Sequence, residues 1–147
     1  MKAAVSTLCV AAATGVLLLV GTALGGERKS DFVDLKGTWI RVLNDKTYIV
    51  TFNGNKFATI FEFAEGTTTT SGTISIDPSK KPNRMEWKFA AGTGRGEKLK
   101  GTTAETIYQL EGDTFRFCVS RQQRRPEVFP EKERVDEYIY LVFKRVK

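Results

Sequence analysis

The chain has no histidine in its 147 residues. That one absence removes histidine acid–base chemistry, imidazole-assisted serine or cysteine nucleophiles, and most zinc sites. Cysteine is almost as scarce, with only Cys9 and Cys118 present. Cys9 falls in an apolar leader, so the remainder carries one thiol and cannot close an internal disulfide. Such a domain must be held by burial, and neither a soft-metal site nor a bound cofactor is expected. A sustained helical period is missing as well. What replaces it is alternation.

The first 25 residues stand apart. Lys2 supplies one positive charge, Ala3 to Leu24 carries none, and Ala23-Leu24-Gly25 places small residues before Gly26. This is the layout of a secretory signal peptide. The competing reading is an uncleaved anchor, since about 20 apolar residues can span a bilayer. Thr14, Gly15, Gly21 and Thr22 make it a poor span. The expected organisation is a signal segment at 1–25, a short charged lead at 26–34 and one domain at 35–147. The expected address is the periplasm, the cell envelope or the medium, with membrane contact only through the N-terminal segment if it stays uncut.

From Leu35 onward the chain reads as short strands of period two. "KTYIVTF" puts Tyr48, Val50 and Phe52 on one face, and "KFATIFEF" does the same with Phe57, Phe61 and Phe63. Between them Asn53-Gly54 is a strong hairpin turn, because both residues tolerate positive φ. Gly72 in "TTTTSGTISI" marks a bulge or break. "RMEWKF" alternates Met85, Trp87 and Phe89 with charges, and Glu111-Gly112-Asp113 joins "ETIYQL" to "TFRFCVS". The segment "RQQRRPEVFPEKERVDE" reads as a long loop or bent edge, and "YIYLVFKRV" as the final strand. Seven to nine short antiparallel strands indicate an all-β barrel or sandwich, and closure would hide the strand edges. Cys118, inside an apolar run, reads as a packed strand residue.

The pieces "LKGTW", "GTISIDPSKKPNRMEW", "IYQLEGDTFRFCVS", "RPEVF" and "LVFKR" occur in that order. Together they resemble a family of small exported lipocalin-like domains found in planctomycetes. The likeness covers about Leu35 to Arg145 and rests on Leu35, Gly37, Trp39, Asp77, Pro78, Pro82, Gly112, Asp113, Cys118, Arg125, Pro126 and Phe129. It implies a lipocalin-like antiparallel up-and-down β-barrel of about eight strands. Gly37 would let the chain bend in at the closed end, Trp39 would plug that end, and Lys144 or Arg145 would stack on the indole. The resemblance implies no reaction.

The functional candidates are few. "GTGRGEK" at 92–98 has the wrong spacing for a phosphate loop and no helix pattern after it, so it reads as a flexible hairpin loop. Glu62 and Glu86 alternate with aromatics and face solvent; no carboxylate pair is set up for catalysis, and no enzyme is expected. The inward aromatics, Phe61, Trp87, Phe89 and Phe117 among them, either line a calyx for an apolar ligand or fill it. A chain this short with so many large side chains favours a mostly filled interior.

Net charge is +6 over the whole chain, and it is local. Lys80, Lys81, Arg84, Lys88, Arg95, Lys98 and Lys100 face only Glu86 and Glu97 between Ser79 and Gly101, whereas the cations of 121–137 are matched one for one. Lys80, Lys81, Arg84, Arg95, Lys98 and Lys100 therefore form a candidate patch for an anionic envelope polymer, lipid headgroups or an acidic protein. The alternative is a solubilised hairpin tip. No aromatics interleave these cations, so nucleic acid is not expected. Two roles remain open: a binding module, for a small apolar or amphipathic ligand or for an anionic envelope component, and a structural or interaction domain of the envelope with a filled core.

Overall fold

The computed structural model describes residues 29–147; the leader at 1–25, with the cleavage expected there, lies outside the described residues. The chain forms a closed, lipocalin-like up-and-down barrel of eight antiparallel strands. They are β1 (Gly37–Leu43), β2 (Lys46–Asn53), β3 (Lys56–Phe63), β4 (Gly66–Asp77), β5 (Asn83–Thr93), β6 (Thr103–Glu111), β7 (Thr114–Ser120) and β9 (Tyr138–Arg145). A two-residue strand, β8 (Arg134–Val135), adds to the free side of β9. Each strand pairs with the next, so every connection is a hairpin apart from the long segment between β7 and β9. The expected hairpin forms one residue later than its sequence signal: Asn53 stays in β2 opposite Lys56, and Gly54-Asn55 make the turn, with Gly54 alone at positive φ, +60°. The register slips between Ser71 and Gly72, where Ala90 of β5 is the extra residue of a bulge opposite Gly72.

Alternation turns into packing directly. Trp39, Phe52, Phe57, Ile74, Met85, Trp87, Tyr108, Phe115, Phe117 and Phe143 all face one shared core. Phe117 and Phe143 stack at 5.8 Å with planes 13° apart, and Phe52 meets Phe115 edge-on at 5.4 Å. Each buried aromatic stabilises the fold by roughly 1.5–3 kcal/mol through area removed from water, and ring pairing adds to that.

The charged lead is corrected by the structure. Lys29–Leu35 is a helix, α1, closed by the Lys36 amide donating to the Phe32 and Val33 carbonyls. A seven-residue helix is too short to persist by itself. It persists here because Phe32 and Leu35, one turn apart, pack under the barrel. The Trp39 indole N–H donates to the Leu35 carbonyl at 2.8 Å, and the Tyr108 hydroxyl donates to Asp31 at 2.7 Å. Burial and that carboxylate push the Tyr108 phenol well above its usual range. The helix is thus the floor of the barrel, part of the domain expected to begin at Leu35.

Arg145, of the two basic candidates, covers the plug. Its guanidinium lies 4.1 Å from the Trp39 ring centroid and donates to the carbonyls of Lys36 and Asp34. Lys144 points outward and donates to Thr114 Oγ1. Gly37 sits at φ +125°, a conformation side chains rarely adopt, and so the chain turns from α1 into β1.

The segment between β7 and β9 folds back over the outside of the barrel. Arg125 donates to the Met85 and Thr106 carbonyls at 3.2 and 2.7 Å, and Phe129 packs on Tyr140. Cys118 is cross-strand neighbour to Ile107 and Tyr140 on this outer face. It is fully buried, as expected of a packed strand residue, though not inside the barrel. Burial pushes its thiol up to about 11.

Candidate functional site

Strand direction sorts the barrel into two ends. β1 and the chain's entry from α1 define the closed end; the turns after Leu43, Phe63, Thr93 and Ser120 define the mouth. The closed half is filled with Trp39, Phe52, Phe115, Tyr108 and Phe143, each at most 1% exposed. The mouth half is open. A cavity of about 560 Å³ lies there, walled by Phe61, Phe89, Phe117, Leu141 and Val119, with Trp87 across its base. The interior is therefore half filled, which corrects the expectation of a mostly filled one. Trp87 marks the boundary: it is packed below against Phe52 at 5.6 Å and Phe57 at 4.7 Å, and open to the cavity above. The reason is side-chain size. Towards the mouth the inward positions become Thr59, Thr70, Ala104 and Thr106, which leave the space that aromatics take lower down.

All four aromatics singled out in the sequence, Phe61, Trp87, Phe89 and Phe117, line this cavity together. The threonine hydroxyls and the indole N–H of its wall are already hydrogen-bonded. Thr59 and Thr70 share a hydroxyl hydrogen bond of 2.6 Å. The Trp87 indole donates to Thr106 Oγ1 at 3.1 Å, and that hydroxyl donates to the Met85 carbonyl at 3.0 Å. These parts of the wall thus present methyl groups and rings, while Tyr48, Arg95 and Arg121 add polar groups to the lining. Sequence reading missed Tyr48, Thr59, Thr70, Thr106, Ile139 and Leu141 as lining residues; their inward period was the available signal.

The "GTGRG" segment is not a flexible loop. Gly94–Leu99 forms a 3-10 turn packed against β4 at the mouth. A Cβ on Gly96 would stand 2.2 Å from the Thr69 carbonyl oxygen, so only glycine permits this approach. The turn brings Arg95 and Leu99 to the cavity entrance. Arg95 pairs with Glu65 at 2.9 Å and lies over the Phe63 ring at 5.6 Å.

The basic patch does not form as one surface. Lys80, Lys81 and Arg84 belong to the β4–β5 hairpin, which points out at the closed end. Arg95, Lys98 and Lys100 follow β5 at the mouth. The Gly101 amide donates to the Phe89 carbonyl, so even Lys100 lies about five β5 residues from Arg84, roughly 17 Å at about 3.3 Å each, and Lys80 and Arg95 lie farther apart. The closed-end tip is a built turn: Asp77 Oδ1 accepts from both the amide and the hydroxyl of Ser79, and those bonds hold its carboxyl below the usual range. The Lys81–Pro82 peptide is cis. Lys80, Lys81 and Arg84 are exposed there.

A second concavity, of about 630 Å³, adjoins the first and is polar. It follows from how the barrel closes. β1 and β9 pair only at Trp39–Arg145 and Ile40–Lys144, near the closed end. Toward the mouth β9 pairs instead with β8. Arg41 occupies the gap between. Its side chain is 8% exposed and makes a two-point contact with Glu133, Nη1 to Oε1 at 2.9 Å and Nη2 to Oε2 at 2.6 Å. Nη1 also reaches the Val142 carbonyl at 3.4 Å, a group that a longer β1–β9 ladder would have paired. Donation to the Glu133 carboxylate raises the guanidinium above its usual range. Arg41 Nε is buried without a partner among the described residues. Tyr48, Arg121, Ile139 and Leu141 line both this groove and the apolar cavity.

No family model matches the chain, and neither a curated protein nor a solved structure matches it.

Proposed function

We propose that the chain is an exported, non-catalytic binding module of the planctomycete lipocalin-like kind, and that it holds a small apolar or amphipathic ligand in the mouth half of the barrel. One observation carries this reading: an open cavity of about 560 Å³ walled by Phe61, Trp87, Phe89 and Phe117. That volume lies within the roughly 300–1,000 Å³ of small-molecule sites. The threonine hydroxyls and the indole N–H within it are already hydrogen-bonded, which favours an apolar occupant there. The chain also lacks histidine, and its one thiol beyond the leader is buried and held protonated. The half-open interior weighs against the alternative of a purely structural domain with a filled core. The division of the cations between two ends weighs against a single site for an anionic polymer.

Titration with anilinonaphthalene sulfonate tests the reading. Its emission should rise saturably with energy transfer from Trp87. Ala104→Trp, which puts an indole into the cavity, should abolish the signal in a variant whose far-ultraviolet spectrum is unchanged. Equal binding by wild type and Ala104→Trp would overturn it.

A further inference from the structure

The apolar cavity adjoins the groove that holds Arg41 and Glu133, and the two share lining residues. From this geometry we propose that the ligand is a carboxylate-headed amphiphile whose head takes the place of Glu133 on Arg41. The inference rests on the calyx reading above and deepens it.

Four observations support the exchange. First, Arg41 is a cation in a place where burial is costly, with its side chain 8% exposed. It requires a carboxylate, and it receives one from a segment outside the barrel. Second, Glu133 is 43% exposed and belongs to the stretch between β7 and β8, 92 residues away in sequence, so it can leave for water while Arg41 cannot. Third, the Arg41 Nε–H lacks an acceptor among the described residues, so Glu133 leaves one of the five guanidinium donors unused. A carboxylate arriving from the cavity side has a donor to gain. Fourth, the two concavities share Tyr48, Arg121, Ile139 and Leu141. A single molecule can therefore lay its chain among Phe61, Phe89 and Phe117 and its head in the groove. Arg121, exposed at the junction, adds positive charge there, and Lys46 lines the groove beyond it.

Glu133 is then the internal occupant of an anion site. It keeps Arg41 paired when no ligand is present and sets a threshold that an uncharged amphiphile cannot exploit. Chemistry in the site is limited to exchange of one ion pair for another; no bond is made or broken.

The experiment compares dodecanoate with dodecanol by isothermal calorimetry on wild type, Glu133→Gln and the double variant Arg41→Gln/Glu133→Gln. Removing the internal carboxylate should tighten dodecanoate by about tenfold, the worth of a charge-assisted contact, and leave dodecanol within about twofold by the same scale. The double variant should lose that gain. Equal tightening of both ligands, or none, overturns the exchange while dodecanol binding keeps the calyx. Failure of both ligands to bind wild type overturns the calyx and the exchange together. Should Glu133→Gln not fold, the wild-type chain decides by the side-chain ¹⁵N resonances of Arg41. They should shift with dodecanoate and stay with dodecanol; identical shifts would overturn the exchange.

Discussion

Arg145→Met removes the clasp at the closed end, and its cost can be worked from the bonds that the guanidinium makes. Its position over Trp39, 4.1 Å from the ring centroid, contributes about 1 kcal/mol. Its two donors to the carbonyls of Lys36 and Asp34 contribute about 1 kcal/mol each, reduced from the charged-bond value because the side chain is 26% exposed. The contact with Asp113 at 3.3 Å is open to water and adds little. The sum is about 3 kcal/mol. At about 4 °C per kcal/mol for a domain of this size, the thermal midpoint should fall by about 12 °C. Differential scanning calorimetry reads that number. Hydrogen exchange should also show faster exchange in α1, which keeps its packing through Phe32 and Leu35 and its bonds Leu35–Trp39 and Asp31–Tyr108. Arg145→Lys keeps the charge but cannot fork to two carbonyls, so it should recover less than half of the deficit. A fall of under about 4 °C for the methionine variant, or full recovery by lysine, would refute the account of α1 as a floor held by Arg145.

Two further outcomes follow from buried polar groups. Thr106→Val preserves shape but leaves the Trp87 indole N–H without its acceptor at the cavity base, and should lower stability by about 2 kcal/mol in urea titration; a change below about 0.5 kcal/mol would show the bond to be dispensable. The Cys118 thiol, pushed up to about 11 by burial, stays protonated in the fold after the unfolded chain has begun to ionise near 8.5. The unfolded state therefore gains as pH rises from about 8.5 to 11, stability falls across that window, and Cys118→Ala should flatten the urea midpoint between pH 8 and pH 10.

Legibility differed between strands and their surroundings. The β2–β3 hairpin, to within one residue, the irregularity at Gly72 and the inward rows Phe57–Phe61 and Met85–Phe89 were readable, because side-chain alternation and positive-φ turns are properties of a few consecutive residues; that the extra residue of the bulge is Ala90 on the partner strand was not. The four aromatics of the cavity were readable for the same reason. The cavity itself was not. Whether Phe61 and Phe117 meet or leave a gap depends on Thr59, Thr70, Ala104 and Thr106 opposite them, contributed by three strands. α1 escaped notice because its two inward apolar residues, Phe32 and Leu35, make no helical pattern long enough to detect. They become a helix only against Trp39 and Tyr108.

The sequence by itself determined an all-β chain, its strand rows and its turns to within a residue, since each is set by steric and hydropathic preferences of neighbours along the backbone; the Gly37–Trp39 plug was implied by the family resemblance. Only the tertiary structure decided which end each loop occupies. It separated Lys80, Lys81 and Arg84 from Arg95, Lys98 and Lys100, because a strand carries its two ends apart however close they stand in composition. It also joined Arg41 to Glu133 across 92 residues, in a gap that exists because β9 pairs with β1 at one end and with β8 at the other.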